Sequence, residues 1–237
     1  MRRTPLMNVD PVEIKKFDSL AQRWWDRNGE FRPLHDINEI RVRFISKHTK
    51  IPGSTVLDVG CGGGILTESL ANLGAIPTGI DPAQGPLTVA KLHAVEMGLQ
   101  DRIRYLQTTA EELAKDEKQF DVVTAMEIVE HVPDFAETVR ALASLTKPGG
   151  NVFLSTINRK PIAYVVAILG AEYVLNVLPR GTHEYRKFIK PSELAQAARN
   201  AHLSVQRVQG YRYNPIMRST SLVPDASVNY FLHAQKL

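Results

Sequence analysis

Glu127-Ile128-Val129-Glu130-His131 sets two carboxylates and an imidazole within five residues. On a helical turn, positions i, i+3 and i+4 put Glu127, Glu130 and His131 on one face. Without a thiolate, that set suits a hard or borderline divalent cation, Mg²⁺ or Mn²⁺, better than structural zinc. The competing reading is an acidic loop whose glutamates cap helix amides. Glu130 or His131 would then be available as a general base without metal.

A second group of residues speaks of a nucleotide-like ligand. Gly60-Cys61-Gly62-Gly63-Gly64 follows an apolar run and precedes a helical pattern, the arrangement that brings a ligand to backbone N–H groups at a helix N-terminus. A dinucleotide fingerprint would put its third glycine at position 65, and the chain has Ile65 there. No Gly-Lys-Ser/Thr follows, which excludes a P-loop. The spacing Gly60-x-Gly62-x-Gly64 leaves room instead for a bulkier group of no net charge, such as an amino-acid tail. Asp81 closes the next strand, where a carboxylate accepts from two ribose hydroxyls. The plainer alternative is a glycine-rich turn and a helix-capping aspartate. Cys61 reads as a packed spacer, since no histidine lies near it in sequence.

The elements that must hold these groups are strands and helices in alternation. Strands are expected at 55–59, 76–80, 103–107, 120–125 and 152–156, with helical spacing between them. Pro148-Gly149-Gly150 reads as a turn into the fifth strand. Before them, Asp10, Pro11 and Glu13 open a first helix as a capping box, and a second helix covers about 37–48. Asp134 and Glu137 make another capping box. After residue 157 come an apolar stretch at 162–178, a helix near 191–201, and strand-like runs at 203–211 and 227–234. The fold class is therefore α/β, a doubly wound, mostly parallel seven-stranded sheet with N-terminal helices and an apolar helical insert.

Composition bounds the rest. The 237 residues are 43% hydrophobic and 23% charged, ordinary for one globular domain, which excludes disordered and fibrous classes. A single cysteine rules out an intramolecular disulfide framework. Lys and Arg number 29 against 25 acids; the small excess is scattered, so no nucleic-acid partner is expected. No signal-peptide pattern opens the chain.

Four motifs in order make the chain similar to the class I S-adenosylmethionine-dependent methyltransferases: Leu57 to Gly64, Gly79-Ile80-Asp81, Phe120-Asp121-Val122-Val123 and Lys147-Pro148-Gly149-Gly150. Arg23-Trp24-Trp25-Asp26, Phe31-Arg32-Pro33-Leu34-His35, Asn38-Glu39-Ile40-Arg41, Gly181-Thr182-His183, Phe188-Ile189-Lys190-Pro191 and Val228-Asn229-Tyr230 resemble the branch that O-methylates ubiquinone precursors. The resemblance implies S-adenosylmethionine as cofactor, with Gly60 and Gly62 in the loop around its methionine part. It puts Asp81 on the ribose, Met126 beside the adenine and Arg41 closing over the cofactor carboxylate. Asp58 would orient loop amides. It also supports Mg²⁺ on Glu127, Glu130 and His131, which would acidify a catechol hydroxyl and aim its oxygen at the methyl group.

The implied substrate is a polyprenylated phenol or catechol. The alternatives are a methyltransferase for another small phenol or acid, and a non-catalytic peripheral membrane module that binds the cofactor. Residues 162–178 are too short and too charged at Glu172 to span a bilayer. With Arg159, Lys160, Arg180, Arg186, Lys187 and Lys190 flanking them, they suit a lid or a membrane-facing patch, with His183 as a substrate contact at its exit. The expected organisation is a helical cap at 1–50, a cofactor-binding core at 51–157, the insert at 158–190 and the end of the sheet at 191–237, all one domain. Its expected place is cytoplasmic, at the inner membrane face, with other quinone-biosynthesis enzymes as candidate partners.

Overall fold

The computed structural model describes residues 8–163 and 185–237. Most of the apolar insert at 162–178, and His183 beyond it, lie outside the described residues. α1 (Pro11–Leu20) and α2 (Arg32–His48) precede the sheet. Then follow β1 (Thr55–Val59), α3 (Ile65–Asn72), β2 (Ile76–Asp81), α4 (Gln84–Glu96), β3 (Arg104–Gln107), α5 (Ala110–Leu113), β4 (Phe120–Met126), α6 (Phe135–Ser144) and β5 (Thr146–Ile157). A short α7 (Pro161–Ala163), α8 (Pro191–Asn200), β6 (Leu203–Asn214), β7 (Ser219–Val223) and β8 (Asn229–Lys236) complete the described elements.

The sheet runs β3-β2-β1-β4-β5-β8-β6-β7. β1 to β5 pair in parallel, and β8, β6 and β7 pair antiparallel. Strand order reverses between β1 and β4, so the ends of β1, β2 and β4 open on the crevice where ligands of doubly wound sheets bind. Alternation along the strands divides the core between two faces. Leu57, Val123 and Leu154 join Val139 and Leu142 of α6 and Leu194 of α8. Val56, Val122 and Phe153 face Ile40 and Phe44 of α2 and Leu70 of α3.

Three sequence expectations are corrected. Among the described residues the sheet has eight strands rather than seven. β7 pairs with β6 as a hairpin, and Asn214 Oδ1 accepts from the N–H groups of Ile216 and Met217, both at 3.0 Å, to make the turn. Ser219-Thr220-Ser221 gave no apolar alternation by which to find it. Pro148-Gly149-Gly150 lies inside β5 as an irregularity, with Thr146 opposite Phe120 and Asn151 opposite Val122. Finally, Asp10 caps α1 by accepting from Val12 N at 2.9 Å, while the Glu13 carboxylate turns into the crevice. Asp134 does cap α6, accepting from the amides of Ala136 (2.9 Å) and Glu137 (3.1 Å).

Candidate active site

The glycine loop is pinned before any ligand arrives. Gly60 N and Cys61 N donate to Ile80 O at 2.8 and 3.1 Å, so the loop folds back onto the end of β2. The Asp81 carboxylate takes Gly62 N at 3.0 Å on one oxygen and Ala83 N at 2.8 Å on the other. Burial pushes its carboxyl up to about 6, against the pull of those two amides. Cys61 packs among α4 residues as a spacer, and burial raises its thiol well above the usual range. Asp58 is buried and accepts from Thr67 Oγ1 (2.6 Å) and Thr124 Oγ1 (2.7 Å). It ties β1 to α3 and β4, not to the loop amides.

The N-terminal segment seals the loop from outside. Trp24, stacked on Phe31 with ring centroids 4.0 Å apart, lies over Gly62 and Gly63. Trp25 Nε1 donates to Gly63 O at 2.9 Å. Gly62 has φ +52°, and a Cβ there would fall inside the Trp24 indole. Gly62→Ala is therefore expected to cost about 3 kcal/mol, the sum of left-handed backbone strain and overpacking. The cost should shrink to about 1–2 kcal/mol in a Trp24→Ala background, where only the strain remains. Urea unfolding of the four proteins of that cycle measures both terms.

Between these elements lies a cavity, open at its mouth. Arg41, Gly60, Asp81, Met126, Glu127 and His131 all line it, so six of the eight expected site residues meet on one wall or another, and Gly62 and Glu130 do not reach it. Gly62 sits behind it, bonded to Asp81. Arg41 is buried on α2, its guanidinium paired with Glu127 and its Nε without a partner. That nitrogen is a donor left for an anionic group in the cavity.

Glu127, Glu130 and His131 do not share a face. No helical turn forms at 127–131, and Glu127 adopts φ +51°, which sends its neighbours' side chains in different directions. Glu127 accepts from Arg41, Tyr211 OH (3.0 Å) and Ser155 Oγ (2.5 Å). Glu130 is 3% exposed and accepts from Thr156 Oγ1 at 2.9 Å, and its other oxygen is unpartnered. Burial pushes its carboxyl up, away from the charged form. His131 Nδ1 instead lies 3.3 Å from Glu13 Oε2 on α1, and Phe17 meets its ring edge-on at 5.6 Å. Among the described residues no three His, Cys, Asp or Glu side chains are placed to hold a metal ion together. The expected Mg²⁺ or Mn²⁺ donor set is thus not formed in this arrangement, and no step is assigned to an ion.

Glu13 is a cavity-lining residue that sequence reading took only for a helix cap. Its spacing to Asp10 is that of a capping box, and nothing local ties it to a histidine far along the chain. In the structure the His131 contact is the main influence holding its carboxyl down near 2, with Lys16 and Lys187 adding to it.

The methyltransferase-domain family matches residues 15–208. The chain is 55% identical to the ubiquinone biosynthesis O-methyltransferase of Saccharophagus degradans over 99% of both chains. It is 56% identical to the protein of the same name from Nitrosospira multiformis, over 95% of this chain and 94% of that one. Among solved structures it resembles the magnesium protoporphyrin IX methyltransferase of Synechocystis with bound S-adenosylhomocysteine. That match has a TM-score of 0.70 and 18% identity, over 95% of this chain and 98% of the other. A methyltransferase from Aquifex aeolicus superimposes with a TM-score of 0.60 at 16% identity, over 96% and 99% of the two chains. These distant structures attest the fold alone. With the eight-stranded sheet, the pinned glycine loop and full-length identity above one half all pointing the same way, the chain belongs to the S-adenosylmethionine-dependent methyltransferases, in the ubiquinone biosynthesis O-methyltransferase family.

Proposed function

We propose that this chain transfers the methyl group of S-adenosylmethionine to a hydroxyl oxygen of a polyprenylated phenol or catechol in ubiquinone biosynthesis. The observation that carries this reading is the identity of 55% over nearly the whole chain to a protein of that name. The cavity supports it. Asp81 offers two carboxylate oxygens for ribose hydroxyls, Arg41 Nε a donor for the amino-acid carboxylate, and Met126 an apolar surface at the end of β4. When bound, the donor supplies a methyl carbon on a sulfonium, which the acceptor oxygen takes as the carbon–sulfur bond breaks.

A phenol with a pKa near that of tyrosine, about 10, is mostly protonated at neutral pH. His131 lines the cavity and is the group placed to take the hydroxyl proton. Glu130 is sealed by Thr156 and buried, so it is assigned no proton transfer. A water-poor site favours the reaction, because phenolate and sulfonium charges cancel in the transition state.

The acceptor's apolar tail favours work at a membrane face, supported by the basic residues that flank the insert. Among the described residues no helix is long and apolar enough to cross a membrane. In this reading a helical cap at 1–50, a cofactor-binding core at 51–157, the insert at 158–190 and the end of the sheet at 191–237 make one domain.

Transfer of labelled methyl from S-adenosylmethionine to a short-tailed catechol tests the reading. Product that co-migrates with the O-methyl ether is the expected result. Bound cofactor without transfer would withdraw the acceptor class. Transfer lost in EDTA and recovered with Mg²⁺ would restore the ion, and would require Glu127, Glu130 and His131 to regroup around it.

A further inference from the structure

Two adjacent tryptophans beside the glycine loop face different cavities. Trp24 lines the one that Asp81 and Arg41 share. Trp25 lines a second, together with His35, Asn38, Glu68 and His93. The loop is held at neighbouring residues by groups from the two. Gly62 N donates to Asp81 Oδ2 at 3.0 Å, and Gly63 O accepts from Trp25 Nε1 at 2.9 Å. The Gly63 carbonyl and the Gly64 N–H share one rigid peptide plane, and that N–H donates to Cys61 O at 2.9 Å. Turning the plane would therefore break both of its bonds.

Trp25 is in turn held by a residue that is itself aimed. Its indole lies parallel to the His93 imidazole of α4, with ring centroids 3.4 Å apart and 5° between the planes. His35 meets the indole edge-on at 5.4 Å, and Trp25 packs against the cluster of Trp24, Phe31 and Ile65. His93 Nδ1 donates to both carboxylate oxygens of Glu68, at 2.9 and 2.8 Å. Glu68 is 4% exposed and sits in the first turn of α3, the helix that follows the loop. An apolar side chain would serve for packing there, since a buried carboxylate adds little net stability even when paired. What Glu68 adds is direction. With Nδ1–H bound to it, the imidazole plane is fixed, and the indole lies flat on that plane. The contacts run from α3 through α4 and Trp25 back to the loop.

We propose that Trp25 is a positioning residue for cofactor binding: resting on a His93 ring aimed by Glu68, it locks the Gly63 peptide and keeps the loop in the form that receives S-adenosylmethionine. The proposal rests on the reading of this loop as the cofactor loop. The relay touches neither the acceptor nor the reacting atoms, so it acts on cofactor affinity and not on the transfer step. A loop already set in its binding form loses no further freedom when the cofactor arrives.

Calorimetric S-adenosylhomocysteine binding and steady-state kinetics on Trp25→Phe, His93→Ala, their double variant, two Glu68 variants and Asp81→Asn test this. Trp25→Phe keeps a ring on His93 but has no N–H, and should weaken S-adenosylhomocysteine binding about tenfold, the worth of one hydrogen bond. KM for S-adenosylmethionine should rise by the same factor, while kcat and KM for the acceptor stay within about twofold. His93→Ala should give the same signature. The double variant should bind no more weakly than either single one, because both break one chain of contacts. Glu68→Leu, which frees the imidazole, should also lose affinity, and Glu68→Gln, which still offers an oxygen to Nδ1–H, should recover most of it. Unchanged affinity in Trp25→Phe overturns the proposal, and so do losses that add in the double variant or a fall in kcat at saturating cofactor. Affinity lost in Asp81→Asn but kept in Trp25→Phe removes the relay and leaves the cofactor site in place. Affinity kept in both withdraws the site reading, and the relay with it.

Discussion

Asp81→Asn will weaken S-adenosylhomocysteine binding about a hundredfold, and it will also abolish the pH dependence of that binding. Two charge-assisted hydrogen bonds from ribose hydroxyls are together worth about 3 kcal/mol, which is roughly that factor. The pH effect follows from burial, which lifts the Asp81 carboxyl to about 6, well above the usual aspartate range. Ribose hydroxyls donate to the ionised form, so ligand binding favours deprotonation. Affinity should be flat above about pH 6 and fall about tenfold per unit below it. Acid unfolding through this group does not mimic the effect. A carboxyl whose folded pKa is raised adds stability below its unfolded pKa and loses that stability as pH rises through the folded value. The empty protein thus gains from protonation of Asp81 in the very range where cofactor affinity falls. Calorimetry between pH 5 and 8 on both proteins decides the matter. A wild-type profile without a break near 6, or a sloping profile in Asp81→Asn, would assign the ribose contact elsewhere.

The core sheet was legible because its signals are local. Each parallel strand is a short apolar run closed by a turn or a glycine loop, and β1 was read at its true limits of Thr55 and Val59. The glycine loop and Asp81 could be paired across 21 residues of sequence only through the strand–helix–strand rule. The rule held because β1 and β2 are neighbours in register, Val59 beside Ile80. β7 was not legible: its polar residues pair with β6 through backbone bonds that a hydropathy pattern does not record.

The site was legible only in part, and the reason is the difference between periodicity and backbone conformation. Glu127, Glu130 and His131 fall at helical spacing, but spacing groups side chains only where a helix exists. Ser155 on β5 and Tyr211 on β6 capture Glu127, and its positive φ breaks the turn. Glu13 shows the converse. Its most important contact crosses from α1 to the loop after β4, and no local pattern can announce a tertiary contact of that length. Arg41 stood between the two cases. The family resemblance supplied it, and the structure places it on the cavity wall with an unpartnered nitrogen.

His131→Ala should lower kcat for methyl transfer by about 10²–10⁴-fold, the usual worth of a positioned general base. S-adenosylhomocysteine affinity should stay within about twofold, because the ribose and carboxylate contacts are proposed for Asp81 and Arg41. Glu130→Gln, by contrast, keeps the shape of a side chain that is 3% exposed. Its amide oxygen can still accept from Thr156 Oγ1, and kcat should fall no more than a few fold. The contrast between the two variants separates base catalysis from ion binding. A divalent ion held by Glu127, Glu130 and His131 needs the Glu130 charge as much as it needs the imidazole, so both substitutions would then abolish transfer together. A base acting on its own needs only His131. Equal losses in the two variants, with the cofactor still bound, would mean that the loop after β4 rearranges around an ion and that Arg41 releases Glu127 to it.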